Sequence, residues 1–289
     1  VHYHHVDVFT PRPYRGNSLA VFPDATRLDG AQMGVITREL RHFESIFLTP
    51  DGDDHRWRAR VFDLVEELGF AGHPVIGAAC VVHELHGGSA QERWTIQLEA
   101  RTVQVTTERR TQGRYSAVLD QGPADFLGQP ARTRAEVASW FSVDERDVDA
   151  ALPLEVVSTG LRYLIVPVRS GALDRARIAV TDLATRLGAM GADFAYLVDV
   201  AALEGRHWNN DGVVEDVATG SAAGCVAAYL RRHERLDEGT TAVLRQGRFL
   251  GRPSEITIRA YGTGTSVPSV EVGGDVVLVG TGTLDLLPE

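Results

Sequence analysis

The chain has 289 residues, 44% hydrophobic and 24% charged, with a formal net charge of −10. That is the make-up of a globular protein with one large domain or two ordinary ones, and the acidic balance argues against nucleic acid or an anionic membrane as partner. No stretch approaches the roughly 20 apolar residues of a membrane span, and "VHYHHVDVF" lacks the features of a secretion signal, so a cytoplasmic protein is expected.

In chain order, strands are expected near Tyr3–Phe9, Leu19–Phe22, Phe43–Leu48, Arg56–Phe62, Trp94–Leu98, Thr102–Thr107 and Tyr115–Leu119. Two helices interrupt them. One runs from about Gly30 to His42 behind an Asp29 cap, the other from about Pro74 to Leu85. "QGPADFLGQP", residues 121–130, reads as a linker from its Gly and Pro content. Thr133-x-x-Glu136 then has the form of a capping box. Further strands are expected at Glu155–Ser158, Tyr163–Val168, Phe194–Val198, Ala242–Arg245, Glu255–Arg259 and Val276–Val279. Helices are expected at about Asp174–Arg186 and Ala222–His233.

The two halves echo each other. "GHPVIGAACVVHEL" begins at Gly72 and "GSAAGCVAAYLRRH" at Gly220, an offset of about 148 residues. Each is a glycine, a polar residue and a helix apolar nearly all round, which places each helix inside a core. Two α+β halves are expected, residues 1–122 and 123–289, with the last strand free to return to the first half.

The candidate chemistry gathers at those helix starts and at one strand. A glycine lets the backbone approach a ligand, and the free N–H groups of a first helical turn bind carboxylates. Gly72 with His73, and Gly220 with Ser221, are therefore candidate substrate-binding positions. Ordinary helix starts account for the glycines at least as well, and taken alone His73, Asp216 and Ser221 are better read as capping, turn or surface groups. Glu44 in "RHFESIFLTP" is the most telling residue. On strand alternation it shares a face with Ile46 and Leu48, and a carboxylate is costly to desolvate unless it is used. The opposite register would turn Glu44 to solvent and bury Phe43, Ser45 and Phe47.

Several chemistries fail on pattern. The chain has no G-x-G-x-x-G after a strand, no Walker A loop and no H-E-x-x-H. "TGSAAG" is not a nucleophile elbow. His2 and His4 could share a strand face, but no third metal ligand is evident, so no metal site is expected. Cys80 and Cys225 fall inside apolar helices and read as inert thiols.

Six ordered motifs resemble the PhzF-like isomerases, within the diaminopimelate epimerase-like fold. They are "VDVFTPRPYRGNSLAVF", "ESIF", "GFAGHPVIGAA", "STGLRYLIVPV", "EDVATGSAAG" and "QGRFLGRPS", together spanning nearly the whole chain. The resemblance implies two pseudo-symmetric halves, each a β-barrel-like sheet around a central helix. It implies a homodimer and catalysis without metal or organic cofactor. It makes Glu44 the general acid/base and gives His73, Asp216 and Ser221 substrate-placing and proton-assisting roles. The implied reaction is an allylic proton shift in a small, anionic, unsaturated carboxylic acid, in a specialised-metabolite pathway of antibiotic type. The alternatives are an epimerase or racemase of a small acid and a non-catalytic metabolite-binding protein of the same fold. A two-thiol racemase is disfavoured, because neither matching position is Cys. The chain departs from the family pattern at Ser18, Gly69 and Val217, where Pro is usual, and at Phe43 beside Glu44. Those changes point to a substrate other than the phenazine precursor.

Overall fold

A computed structural model describes residues 1–264 and 266–289. The chain forms two compact units. The first comprises Val1–Asp120, Gly251–Glu255 and Gly273–Glu289; the second comprises Gln121–Leu250 and Ile256–Val272.

In the first unit the order is β1 (His2–Val8), β2 (Asn17–Phe22), α1 (Gly30–Leu40), β3 (Glu44–Pro50), β4 (Arg56–Asp63), β5 (Glu67–Leu68), α2 (Gly72–His86), β6 (Gln91–Gln97), β7 (Thr102–Thr111) and the first part of β8 (Arg114–Gly128). The C-terminal part of the last strand returns to lie antiparallel to β1, with His2 opposite Thr283 and Val8 opposite Val276. β2 pairs β1 antiparallel and β3 parallel, β3 pairs β4, β4 pairs β6, and β6, β7 and β8 follow antiparallel. The last strand also pairs with β8, and Leu278 N–H donates to the Gly113 carbonyl. This ring of strands wraps α2, which packs on β1, β2, β3, β6 and β7.

Every residue of α2 from Gly72 to His83 is buried, as expected of a helix apolar on all sides. At Gly77 strands and helix approach closely. A Cβ there would lie 2.6 Å from Leu19 Cδ2 and 3.1 Å from Val8 Cγ2. The amphipathic α1 covers a second face, where Met33 and Ile36 meet Phe22, Phe47 and Phe62. Asp29 caps α1 with a full capping box through Gln32. The helix ends at Leu40, short of His42, because Arg41 turns left-handed at φ 60°.

In the second unit the order is the rest of β8, α3 (Arg134–Trp140), β9 (Glu155–Ser158), β10 (Arg162–Val168), α4 (Leu183–Gly188), β11 (Phe194–Asp199), β12 (Glu204–Arg206), α5 (Gly220–Arg232), β13 (Ala242–Gln246), β14 (Ser254–Thr263) and the first part of β15 (Ser266–Thr283). β8, β9 and β10 pair antiparallel, β10 and β11 parallel, β11 and β12 antiparallel, and β13 follows β12 parallel. α5 packs on β9 and β10 and is buried from Gly220 to Leu230. A separate apolar cluster around Trp140, Phe141, Leu164, Val166, Leu187 and Leu197 carries α3 and α4. The architecture is α+β, with each unit's sheet holding one buried helix.

Three sequence expectations are corrected. Residues 121–128 are not a linker but the continuation of β8. Asp125 and Phe126 pair with Ser158 and Val157, and a bulge follows before Gly128. The helix expected at Asp174–Arg186 is only Leu183–Gly188. Upstream, the Arg177 and Ala179 N–H groups donate to the carbonyls of Phe141 and Trp140, so tertiary bonds replace the helical ladder through the β-branched Ile178 and Val180. The strand expected at Val276–Val279 is an 18-residue strand. Among the described residues no helix is long and apolar enough to cross a membrane.

Candidate active site

β3 begins at Glu44, whose neighbours are Leu19 in β2 and Asp63 in β4. All residues from Glu44 to Leu48 are buried, so the solvent-facing register does not occur. Phe47 joins the α1 cluster. Glu44, three residues earlier and so on the other face, reaches the start of α2. Its Oε2 lies 3.4 Å from His73 Nδ1, with Glu44 8% and His73 4% exposed. His73 Nδ1 is also 3.4 Å from Asn17 Nδ2.

This geometry has a chemical consequence. One imidazole nitrogen either donates or accepts. With a proton on Nδ1, His73 donates to ionised Glu44. With a lone pair there, it accepts from Asn17 or from a protonated Glu44. The three side chains thus suit both protonation states of the carboxyl group, as proton transfer requires. Gly72, the first residue of α2, follows Ala71, so no side chain of the capping residue occupies the first N–H groups.

Two departures from the family pattern sit beside Glu44. Ser18 Oγ is 3.1 Å from His42 Nδ1, which links β2 to the approach to β3 just where backbone pairing begins. The His42 pKa is lowered to about 4 by burial, reinforced by His5 and Arg252. Phe43 is half-buried. On the same side, buried Asp7 accepts from Arg252 Nη2 at 2.7 Å and from Tyr14 N–H at 2.6 Å. Arg252 Nε also donates to the Gly16 carbonyl, which fixes the loop that delivers Asn17.

In the second unit the start of α5 collects Asp216, Gly220 and Ser221, all buried. Thr219 occupies the N-cap position, yet its hydroxyl does not cap the helix. It donates to Asp216 Oδ2 at 2.6 Å, while the Ala218 N–H reaches Oδ1 at 3.3 Å. Ser221 Oγ is 2.8 Å from the Tyr163 hydroxyl. The Gly220 carbonyl accepts from Gln121 Nε2 at 3.0 Å, and Gln121 Oε1 accepts from the Thr159 hydroxyl. No side chain fits at Gly224, where a Cβ would lie 1.9 Å from Gln121 Oε1. His207, at the Asp216 backbone, places Nδ1 3.0 Å from the Ala195 carbonyl, and burial lowers its pKa against the opposing charge of Asp216.

The structure therefore brings Glu44 to His73, and places Asp216 and Ser221 together at one helix start. The sequence reading missed Asn17, Gln121, Tyr163, Thr219 and Gln246. Asn17, Tyr163, Thr219 and Gln246 lie inside quoted motifs, so position in a motif was the signal available for them. His2 and His4 meet edge to face at 5.2 Å, and among the described residues no group of three or more His, Cys, Asp or Glu could hold a metal ion. Cys80 and Cys225 are fully buried, and burial raises the Cys80 thiol pKa well above its usual range.

A family model described as phenazine biosynthesis-like protein matches residues 6–282. The chain belongs to this family. The PhzF-like chain is 35% identical over 282 residues to the trans-2,3-dihydro-3-hydroxyanthranilate isomerase of Pseudomonas aeruginosa, covering 93% of this chain and 94% of that one. A solved structure of a Pseudomonas aeruginosa protein, described as a predicted epimerase, is 47% identical with a TM-score of 0.92 over 99% of both chains. A hydroxyproline epimerase of Agrobacterium vitis shares the fold, with a TM-score of 0.65 and 14% identity over 97% of this chain and 91% of that one. The PhzF-like chain thus has the diaminopimelate epimerase-like fold.

Proposed function

We propose that this PhzF-like isomerase moves a proton and a double bond within a small unsaturated carboxylic acid. The observation that carries the reading is the buried Glu44–His73 contact at the start of α2. Glu44 removes a proton from a C–H activated by the adjacent double bond. The electron pair delocalises into the conjugated system, and the same carboxyl returns the proton at the far carbon. Atoms and electrons balance with no oxidant or reductant.

His73 follows the proton by exchanging donor and acceptor roles at Nδ1, with Asn17 as the alternative partner. The N–H groups at Gly72-His73, beside Glu44, bind the acid group and stabilise charge developing in the transition state, and the start of α5 at Gly220-Ser221 offers N–H groups of the same kind. Asp216 and Ser221 orient the substrate. The reading carries no bound cofactor and a homodimer, which analytical ultracentrifugation tests. Identity to the isomerase of Pseudomonas aeruginosa supports the reaction class, while Phe43 and Ser18 beside Glu44 favour a different acid from that relative's substrate. An antibiotic-type biosynthetic pathway is part of the proposal.

Epimerisation is the second reading, favoured by the 47% identical structure described as a predicted epimerase. NMR in D₂O separates the two. The enzyme is incubated with a panel of cyclic and acyclic unsaturated carboxylates that includes trans-2,3-dihydro-3-hydroxyanthranilate. Deuterium at a carbon that gains a proton as the double bond moves supports isomerisation. Deuterium at a stereocentre with the double bond unmoved selects epimerisation. Full turnover by Glu44→Gln would sink both mechanisms.

A further inference from the structure

Gln246 closes β13 and is 1% exposed. All four of its side-chain hydrogen-bonding positions are filled. Oε1 accepts from the Thr219 backbone N–H at 3.1 Å and from the Tyr196 hydroxyl at 2.9 Å. Nε2 donates to the Asp216 carbonyl at 2.8 Å and to Thr219 Oγ1 at 3.0 Å. The partners dictate this orientation of the amide. A backbone N–H only donates and a backbone carbonyl only accepts, so the flipped amide would set like against like at both.

The direction then propagates. Thr219 Oγ1 receives a hydrogen from Gln246, and its own hydrogen is aimed at Asp216 Oδ2, 2.6 Å away. At the other end, Gly205 leaves room for the phenol that orients Gln246, since a Cβ there would lie 2.3 Å from the Tyr196 hydroxyl. Tyr196 and Gln246 are both buried. The chain of donors runs one way, from Tyr196 through Gln246 and Thr219 to the Asp216 carboxylate.

We infer that Gln246 is a positioning residue for Asp216: through the Thr219 hydroxyl it holds the carboxylate in one rotamer, with Oδ2 as an acceptor. It touches no substrate itself. The inference rests on the reading above, in which Asp216 orients the substrate. Two of the Gln246 bonds hold the backbone of Asp216 and Thr219, which sets the course of the segment; the bond to Thr219 Oγ1 goes further. This one ends on a buried carboxylate through a hydroxyl that has left its capping position.

Three substitutions test it. Gln246→Glu keeps the shape but removes both amide donors, so the Thr219 hydroxyl turns to the new carboxylate and releases Asp216. Thr219→Val removes the hydroxyl, and Thr219→Ser restores it. Crystal structures read the Asp216 rotamer without any ligand. It is expected to change in Gln246→Glu and Thr219→Val and to persist in Thr219→Ser. Kinetics use whichever carboxylate the deuterium panel shows to be turned over. Gln246→Glu and Thr219→Val each lower kcat about 10–100-fold with KM within about threefold, as expected for small misplacement of an orienting group. The double variant is no worse than the poorer single one.

The inference falls if Asp216 keeps its rotamer in both Gln246→Glu and Thr219→Val. It also falls if the two effects multiply, or if Thr219→Ser loses as much as Thr219→Val. Should Gln246→Glu fail to fold, Thr219→Val carries the same outcomes. Full turnover by Asp216→Asn would defeat the assigned role of Asp216, while the rotamer measurement would still decide whether Gln246 positions it.

Discussion

The start of α2 and the start of α5 present similar groups, a glycine, a polar side chain and a nearby carboxylate, but hold them differently. At α2 the carboxylate Glu44 and the amide of Asn17 each lie 3.4 Å from one imidazole nitrogen. The imidazole and the Glu44 carboxyl can exchange donor and acceptor roles, while the Asn17 amide nitrogen donates. At α5 the carboxylate Asp216 is bound at 2.6 Å by a hydroxyl whose direction is fixed from behind by Gln246. Reversible hydrogen bonds suit a group that changes protonation state, and one-way bonds suit a group that keeps its charge and position. On the proposed function, proton transfer falls to one helix start and orientation to the other, although the two are alike in sequence.

The largest expected effect breaks this division if it is wrong. Glu44→Gln should lower kcat about 10²–10⁴-fold, as loss of a general acid/base does, while ligand affinity by calorimetry changes little. Asp216→Asn should cost less in kcat than Glu44→Gln. A larger loss there would reverse the assignment.

Packing separates the two helix starts next. Gly77→Ala pushes a methyl toward Leu19 Cδ2, the movable end of a side chain, at 2.6 Å. Gly224→Ala pushes it to 1.9 Å from Gln121 Oε1, an oxygen already bound by Thr159. Both should destabilise by about 1–3 kcal/mol in urea unfolding, with Gly224→Ala the greater. Equal losses would mean that the α5 brace yields as readily as an apolar side chain.

Acid sensitivity should mark the approach to Glu44. The folded His42 pKa is about 4, against about 6.5 for an ordinary histidine. Above pH 6.5 both folded and unfolded states are neutral there, and stability does not respond. Between 6.5 and 4 the unfolded state takes up a proton that the folded state refuses, so stability falls as the pH falls. The total is on the order of 2 kcal/mol after allowing for partial solvent screening. His5 and His207 are depressed too and act with the same sign. In thermal melts from pH 7 to pH 4, His42→Gln should have the shallower slope; an unchanged slope would remove His42 as a cause. Smallest is Ser221→Ala, which strips the Tyr163 hydroxyl of a partner at 2.8 Å and should cost about 1 kcal/mol by thermal melting.

Both core helices were legible because a helix apolar on every side has few places to go. The position of Glu44 was legible only as a choice, since β3 is buried on both faces and alternation cannot tell one buried face from the other. The contact with His73 settles which helix it meets. The polar brace was not legible. Gln246 meets Thr219 and Tyr196 through tertiary structure, and a Gln ending a strand looks the same whether it faces solvent or a carboxylate. The expected linker failed for the opposite reason. Gly122 and Pro123 signal a break locally, but pairing of Asp125 and Phe126 with β9 carries the strand through them. Likewise, the pattern over residues 174–186 looked helical until the carbonyls of Trp140 and Phe141 claimed its N–H groups.

The return of β15 to β1 has a temporal consequence. Residues 273–289 complete the first unit by lining up against His2–Val8. During synthesis β1 is made well before its partner, which follows only after residues 121–250 of the second unit are already available to fold. Loop closure between strands so far apart in sequence is entropically slow, and an unpaired strand edge is prone to wrong partners meanwhile. Refolding from urea should therefore show a phase for the first unit that is slower than that of the second. A chain cut before residue 273 should keep the β1 edge open and associate with other copies.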